Sequence, residues 1–323
     1  MTRYHQILST HSFNEYFDVA NFGYARKVNS FFERAIAWDM GENGDITARA
    51  LVPLRAKALG TVIAKEEGVL AGSEEINFFL EKSGTNLVGS LRVTGLAEDG
   101  DDVYAGMPVM KIEGNARDLL VLERSLLNFV QRLSGIATYT RKIVGKVPKG
   151  VLICPTRKTL WGVLDKKGSL AGGGGTHRLD LSDAYLIKSN HVGFAGGIEK
   201  AIEKVFKIFT GDSVGRFFEV EVRSSAEAAA AAGVLARMWS TFDMKGALPV
   251  MMFDNFAAAD IKTAVEQMKN SGFYEHMAFE ASGGINERNI KDYANTGVDI
   301  LSLGSITHSS RALDFSMNIT QTD

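Results

Sequence analysis

From residue 151 onward the chain alternates short apolar runs with helical stretches, and this pattern constrains its fold more than any other feature. The runs cover 151–154, 184–188, 217–222, 249–253, 277–281 and 298–303. Helical spacing follows several of them, at 226–232, 257–269 and 287–295. Apolar strands separated by helices predict a parallel sheet built from βαβ crossovers, because parallel neighbours need a connection long enough to return to the same end. A seventh strand is expected over 169–172, and a longer helix-and-loop insertion over 234–248. Charged groups stand at nearly every strand end, which favours a barrel over an open doubly wound sheet, since barrels gather their chemistry at the carboxyl ends of their strands.

The region before residue 151 has a different grain. Residues 5–40 read as helical, with Phe31, Phe32, Ala35, Ile36 and Trp38 as the apolar stripe. Residues 57–113 read as a small β-rich unit, with strands over 58–64, 91–93 and 109–113 and a helix over 73–81. A long helical region spans 117–145, broken at Gly135, with a domain boundary near Glu123. The β-rich unit carries no catalytic triad or metal-ligand spacing and reads as a scaffold or dimerisation domain.

Charge is concentrated where the pattern changes. Between Arg124 and His191 there are twelve Lys or Arg and three acids, Asp165, Asp180 and Asp183, a balance of +9. The whole chain is −2, so the remainder carries −11. Three basic clusters close three apolar runs: Arg157 with Lys158, His177 with Arg178, and Lys188 with His191. Cations gathered this closely repel one another unless anions meet them, which points to a small polyanionic substrate. Nucleic acid and membrane are excluded as partners, because net charge is near zero and the basic segment is Gly-rich rather than interleaved with aromatics. No apolar run approaches the roughly 20 residues of a membrane span. Residues 1–14 lack the apolar core of a signal peptide, and the single Cys154 fits a reducing compartment, so a cytoplasmic location is expected.

Several motifs bear on the chemistry. Glu219 and Glu221 alternate along one strand and share its inward face. Paired buried acids need cations or a metal; pairing with Arg157 or Lys188 and, at Glu221 and Asp254, binding of Mg²⁺ or sugar hydroxyls are both consistent with the residues. The turns Ser282-Gly283-Gly284 and Gly304-Ser305, at successive strand ends, expose backbone N–H groups and together predict a phosphate site. Gly172–Gly175 is neither a Walker loop nor a dinucleotide fingerprint; it is a flexible loop or a close backbone approach to a ligand. Lys188 admits a Schiff-base aldolase, although its cationic surroundings favour salt bridging. Cys154 reads as a packed strand residue, while His191 and His308 serve equally as ligands or as loop anchors.

These residues, taken in order, resemble the quinolinate phosphoribosyltransferase family. The resemblance rests on Gly44-Asp45-Ile46-Thr47, Gly68 to Gly72, Leu122 to Phe129, Gln131 to Thr138, Thr156-Arg157-Lys158-Thr159, Gly173 to Gly175 with His177-Arg178, Leu186-Ile187-Lys188 with Asn190-His191, Glu219 to Val222, Asp254-Asn255, Glu280 to Ile285, and Thr296 to Ser309. It implies a small N-terminal α/β domain (1–123) for dimerisation and site completion, an incomplete α/β barrel (124–305), and a tail (306–323) packing back on the N-terminal domain. It also implies a homodimer in which Arg124 reaches the partner's site. Arg157, His177, Arg178 and Lys188 would hold the carboxylates of quinolinate. Lys158, Glu221 and Asp254 would face the ribose, pyrophosphate and Mg²⁺ of phosphoribosyl pyrophosphate, and Ser282, Gly283, Gly284, Gly304 and Ser305 the 5′-phosphate. The chain departs from the family pattern at Pro155, at the short Leu160-Trp161-Gly162 segment, at Thr176, at Ser189 and at an arginine after that segment for which Lys166 or Lys167 would substitute, all expected around the pyridine pocket. Those departures keep open a paralogue acting on nicotinate or another pyridine or pyrimidine acid, or a role like that of the family's molybdenum-transport-associated branch; a non-catalytic binder of phosphate ligands is disfavoured, because Glu221 and Asp254 are both retained.

Overall fold

A computed structural model describes residues 2–82, 91–211, 215–239 and 248–322. In chain order its elements are α1 (Arg3–His11), α2 (Phe22–Met40), α3 (Ile46–Leu51), β1 (Lys57–Ala64), β2 (Gly68–Val69), α4 (Ser73–Lys82), β3 (Arg92–Gly95), β4 (Asp102–Val103), β5 (Pro108–Asn115) and α5 (Ala116–Val144). There follow β6 (Leu152–Pro155), α6 (Leu164–Ala171), β7 (Tyr185–Ile187), α7 (Ser189–Ala195), α8 (Ile198–Gly211), β8 (Phe218–Val222), α9 (Ser225–Trp239) and β9 (Val250–Asp254). The chain closes with α10 (Ala258–Asn270), β10 (Ala278–Ser282), α11 (Ile290–Ala294), β11 (Ile300–Leu303), α12 (Ser305–His308) and β12 (Phe315–Thr322).

The residues sort into two compact units, neither continuous in sequence. One comprises Met1–Phe13, Lys142–Val163 and Gly174–Ser309. Its six strands form one parallel sheet in the order β6-β11-β10-β9-β8-β7, and every one of the six expected apolar runs supplies a strand. β6 and β7 are its edges, so the barrel is incomplete. β6, β8 and β11 are buried along their whole length, as strands must be when both faces of the sheet are covered. At the amino ends of the strands, Ile7 of α1 packs with Leu152, Ala184, Phe217, Val250, Ala278 and Ile300. Residues 1–13 thus belong by packing with the parallel sheet.

The other unit comprises Asn14–Arg141, Leu164–Gly173 and Ser310–Asp323. Its antiparallel sheet has the order β12-β1-β5-β3. β12 pairs with β1 over eight residues, Lys57 opposite Thr322 through Ala64 opposite Phe315. In α2 the buried stripe is Tyr24, Val28, Phe32 and Ile36, a strict spacing of four, while Trp38 is 87% exposed and lies off it. Asp45 starts α3 by accepting from the Ala48 N–H at 2.8 Å, a cap of about 1 kcal/mol.

Two expectations change. Residues 169–172 form no strand: 164–171 are the helix α6. Gly135 does not break α5, which runs unbroken from Ala116 to Val144. A Cβ on Gly135 would sit 2.0 Å from the Arg311 carbonyl, so this glycine serves close packing. Of the insertion expected at 234–248, α9 carries the chain to Trp239 and 240–247 lie outside the described residues.

Candidate active site

The carboxyl ends of five of the six strands, β6, β7, β9, β10 and β11, open into a cleft of about 620 Å³. β6 delivers Thr156, Arg157 and Lys158; β9 delivers Asp254 and Asn255; β10 leads into Ser282, Gly283 and Gly284; β11 leads into Gly304 and Ser305. Lys188 follows β7, and His177 with Arg178 enters from the segment between α6 and β7. Eleven of the thirteen expected site residues therefore line one cavity, because parallel strands end on the same side. The other two lie elsewhere. Glu221 stands behind Lys188, and Arg124 is on α5 in the other unit, 57% exposed with Glu123 at 3.7 Å.

His177 sits on a stack of acids. Its Nε2 lies 3.2 Å from Glu219 on β8 and 3.2 Å from Glu280 on β10, and both carboxylates are fully buried. Burial opposes charge on the ring, but Glu280 and Glu219 outweigh it and hold His177 up at about 9. The Arg178 N–H points at Nδ1 from 2.7 Å, a bond only the neutral ring accepts. A neutral hydrogen bond contributes about 1 kcal/mol. Two buried carboxylates exert the stronger pull, so the cation prevails. Burial, with Glu280 beside it, pushes Glu219 up, which suits two carboxylates competing for one N–H. His177 also holds a left-handed backbone, φ 51°, as does Asn255 at φ 58°. Such residues cost on the order of 1–3 kcal/mol and persist where surrounding bonds fix them. Here the bonds are His177 N–H to the His11 carbonyl at 3.1 Å and Asn255 N–H to the Ser282 carbonyl at 2.9 Å.

Lys188 Nζ donates to Glu221 Oε2 at 2.9 Å, and the Ser189 N–H donates to Oε1 at 3.3 Å. Both Glu221 oxygens are engaged from within the chain. The pairing expected between Glu221 and Lys188 is present, and it is the salt-bridging role that the cationic surroundings favour. His191 accepts from the Lys188 N–H at 3.0 Å and lies outside the cleft; its role is to anchor the turn. His308 lines the cleft.

Arg178 has its pKa lowered by burial and next by Arg157, a sign that the two guanidinium groups crowd one another. Among the described residues the cleft presents four Lys or Arg side chains with His177, against the two carboxylates Asp254 and Glu280. Backbone also lines the cleft: Gly283 has φ 90° and Gly284 φ 67°, and a Cβ on Gly283 would meet the Asn255 side chain at 2.5 Å. In the glycine run at 172–175, Gly172 and Gly175 serve packing instead. A Cβ on Gly172 would strike the Ala137 carbonyl at 2.4 Å, and one on Gly175 would meet Cys154 Sγ and the His11 carbonyl, each at 2.8 Å. Cys154 is buried, as read.

Sequence reading passed over Glu280, Met252 and Ser302 as site residues. Glu280 had one available signal, an acid in a buried apolar strand. Ser302 carries a buried hydroxyl without a hydrogen-bond partner, lining the cleft.

The geometry can be set beside known proteins. The model of the quinolinate phosphoribosyl transferase N-terminal domain matches residues 45–134, and that of the C-terminal domain residues 136–318. The chain belongs to the quinolinate phosphoribosyltransferase family. It is 34% identical over 280 residues to a probable carboxylating nicotinate-nucleotide pyrophosphorylase of Methanothermobacter thermautotrophicus, covering 85% of this chain and 93% of that one. It is 35% identical to the chloroplastic enzyme of that name from Arabidopsis thaliana, covering 90% and 82%. The solved nicotinate-nucleotide pyrophosphorylase of Francisella tularensis superposes with a TM-score of 0.76 at 34% identity, covering 91% and 96%. NadC from Streptococcus pyogenes gives 0.78 at 30%, covering 92% and 98%. Among the described residues no helix is long and apolar enough to cross a membrane. The family's domain models begin at residue 45, so α1 and α2 precede everything they match.

Proposed function

We propose that this member of the quinolinate phosphoribosyltransferase family is a carboxylating nicotinate-nucleotide pyrophosphorylase. It joins quinolinate to the ribose of phosphoribosyl pyrophosphate and releases pyrophosphate and CO₂ to give nicotinate mononucleotide for NAD synthesis. The excess of cations over carboxylates in one cleft, together with the glycine turns of β10 and β11, carries this reading.

Arg157, His177, Arg178 and Lys188 hold the two carboxylates of quinolinate, with guanidinium forks suited to bidentate contact. The turns at 282–284 and 304–305 hold the 5′-phosphate through backbone N–H groups. The pyridine nitrogen attacks C1′, and the C1′–O bond breaks with its electron pair leaving on pyrophosphate. Asp254 faces the cationic ribose and Lys158 the departing charge. Asp254 would hold a Mg²⁺ brought with the pyrophosphate, which would help neutralise the leaving group, while Glu221, engaged through both oxygens, would act indirectly through Lys188. Loss of CO₂ leaves its electron pair on C2, beside the quaternary nitrogen, and a proton then closes the reaction. The protein's work is positioning and charge neutralisation.

The departures from the family pattern support quinolinate over nicotinate as acceptor. None of Pro155, Leu160, Trp161, Gly162, Thr176 and Ser189 lines the cleft. Thr176 instead donates to the His11 carbonyl at 3.1 Å, beneath it. Arg157, His177, Arg178 and Lys188 therefore all remain in the cleft, and neither Lys166 nor Lys167 joins them there. We assign Arg124 to the cleft of a second copy in a homodimer, on its exposure, and the enzyme to the cytoplasm, on its single buried cysteine.

The test supplies phosphoribosyl pyrophosphate and Mg²⁺ with either quinolinate or nicotinate. Nicotinate mononucleotide and CO₂ in equal amounts from quinolinate alone is the expected result. Turnover of nicotinate without CO₂ overturns the acceptor, and no product from either overturns the activity.

A further inference from the structure

We infer that α1 is a floor plug for the parallel sheet, and that His11 at its end is a positioning residue that sets His177 for the ligand's carboxylate. The inference rests on the proposed activity for its ligand and on geometry for the rest.

The His11 carbonyl accepts three bonds from the segment that carries His177: Thr176 N–H at 2.8 Å, Thr176 Oγ1 at 3.1 Å and His177 N–H at 3.1 Å. These bonds hold the left-handed turn at His177, where φ is 51°. The His11 ring, 1% exposed, stacks on Phe217 with centroids 4.1 Å apart. It stands edge-on to the His177 ring at 5.5 Å and 86°. His177 is thus wedged between a ring on one side and Glu219 with Glu280 on the other. Only one ring orientation keeps Nε2 within 3.2 Å of both acids. Burial, then the charge on His177, pushes His11 well down, so it stays a neutral wall beside a cation. The plug itself is fixed by Ile7 among the strand starts and by Arg3, bidentate to Asp299 at 2.6 and 2.7 Å.

The test compares His11→Ala with His11→Phe, which keeps the stack and the edge contact. In ligand-free protein labelled with ¹⁵N-histidine, the His177 ring resonances report its hydrogen-bonded state. We expect a single set in the wild type and in His11→Phe, and an averaged set in His11→Ala. Calorimetric titration should show quinolinate affinity falling about tenfold in His11→Ala, the scale of a small misplacement, and largely restored in His11→Phe. The KM for phosphoribosyl pyrophosphate should stay within about twofold. If His11→Ala does not fold, Thr176→Val removes one of the three bonds and should give a partial loss with the same selectivity. Unchanged His177 resonances in His11→Ala, or equal losses for both substrates, overturn the positioning role. Failure of the wild type to bind quinolinate overturns the proposed activity, while the resonances still decide the role of His11.

Discussion

Lys167 and Lys188 each pair with a buried glutamate, yet the charges around them are balanced in opposite ways. Lys167 Nζ is 2.7 Å from Glu74, 3.3 Å from Glu75 and 4.0 Å from Asp99, and its side chain is 11% exposed. Lys188 meets one carboxylate, Glu221, at 2.9 Å and is 46% exposed toward a cleft rich in further cations. Around Lys167 acids outnumber the cation, and Asp99 also caps the start of α4 through the Gly72 and Ser73 N–H groups, each at 2.9 Å. Around Lys188 cations outnumber acids. A cluster whose charges close on themselves holds a fold together; a cluster left with a surplus waits for a ligand of opposite sign.

That contrast can be broken first at Lys167. Lys167→Met strands three carboxylates and should cost about 3–5 kcal/mol in urea unfolding, with quinolinate KM unchanged. Burial, with Asp99 adding and Lys167 opposing, holds Glu75 up at about 7. A raised acid contributes its stability below its unfolded value near 4.5 and loses it as pH rises through the folded value. Without Lys167 the folded value climbs further, so the defect should widen from pH 5 to 8. A loss under about 1 kcal/mol would mean the cluster is not the staple described. Next comes Arg157→Ala, expected to lower kcat/KM for quinolinate about hundredfold, the worth of one charge-assisted contact, with the unfolding midpoint unmoved. A fall in stability instead would place Arg157 with Lys167. The smallest effect is in pH. His177, held at about 9, stays charged through neutral pH and loses its charge as pH rises through about 9. Quinolinate affinity should therefore hold from pH 6 to 8 and weaken above 9, and a flat profile to pH 10 would remove His177 from carboxylate binding.

The strands of the parallel sheet were legible because residues buried on both faces leave continuous apolar runs. The cleft was legible because strand ends carry charge in sequence order. What escaped were relations across the chain. The residues of α6 read as a strand because Ser169-Leu170-Ala171 fits either period. Trp38 was counted into a stripe that only the fourfold spacing of Tyr24, Val28, Phe32 and Ile36 defines. Glu219 and Glu280 lie 61 positions apart and meet only because β8 and β10 flank β9. Nothing local in residues 3–11 says that they pack beneath strands beginning near residue 152.

The pairing of β12 with β1 has a consequence for synthesis. β1 is held on one side by β5 and on the other by the last strand of the chain. On a ribosome, β1 and β5 emerge long before β12, and until then one edge of β1 carries open N–H and C=O groups. The sheet begun first is therefore finished last, and its exposed edge stays a site for mispairing for as long as translation takes to cover the rest.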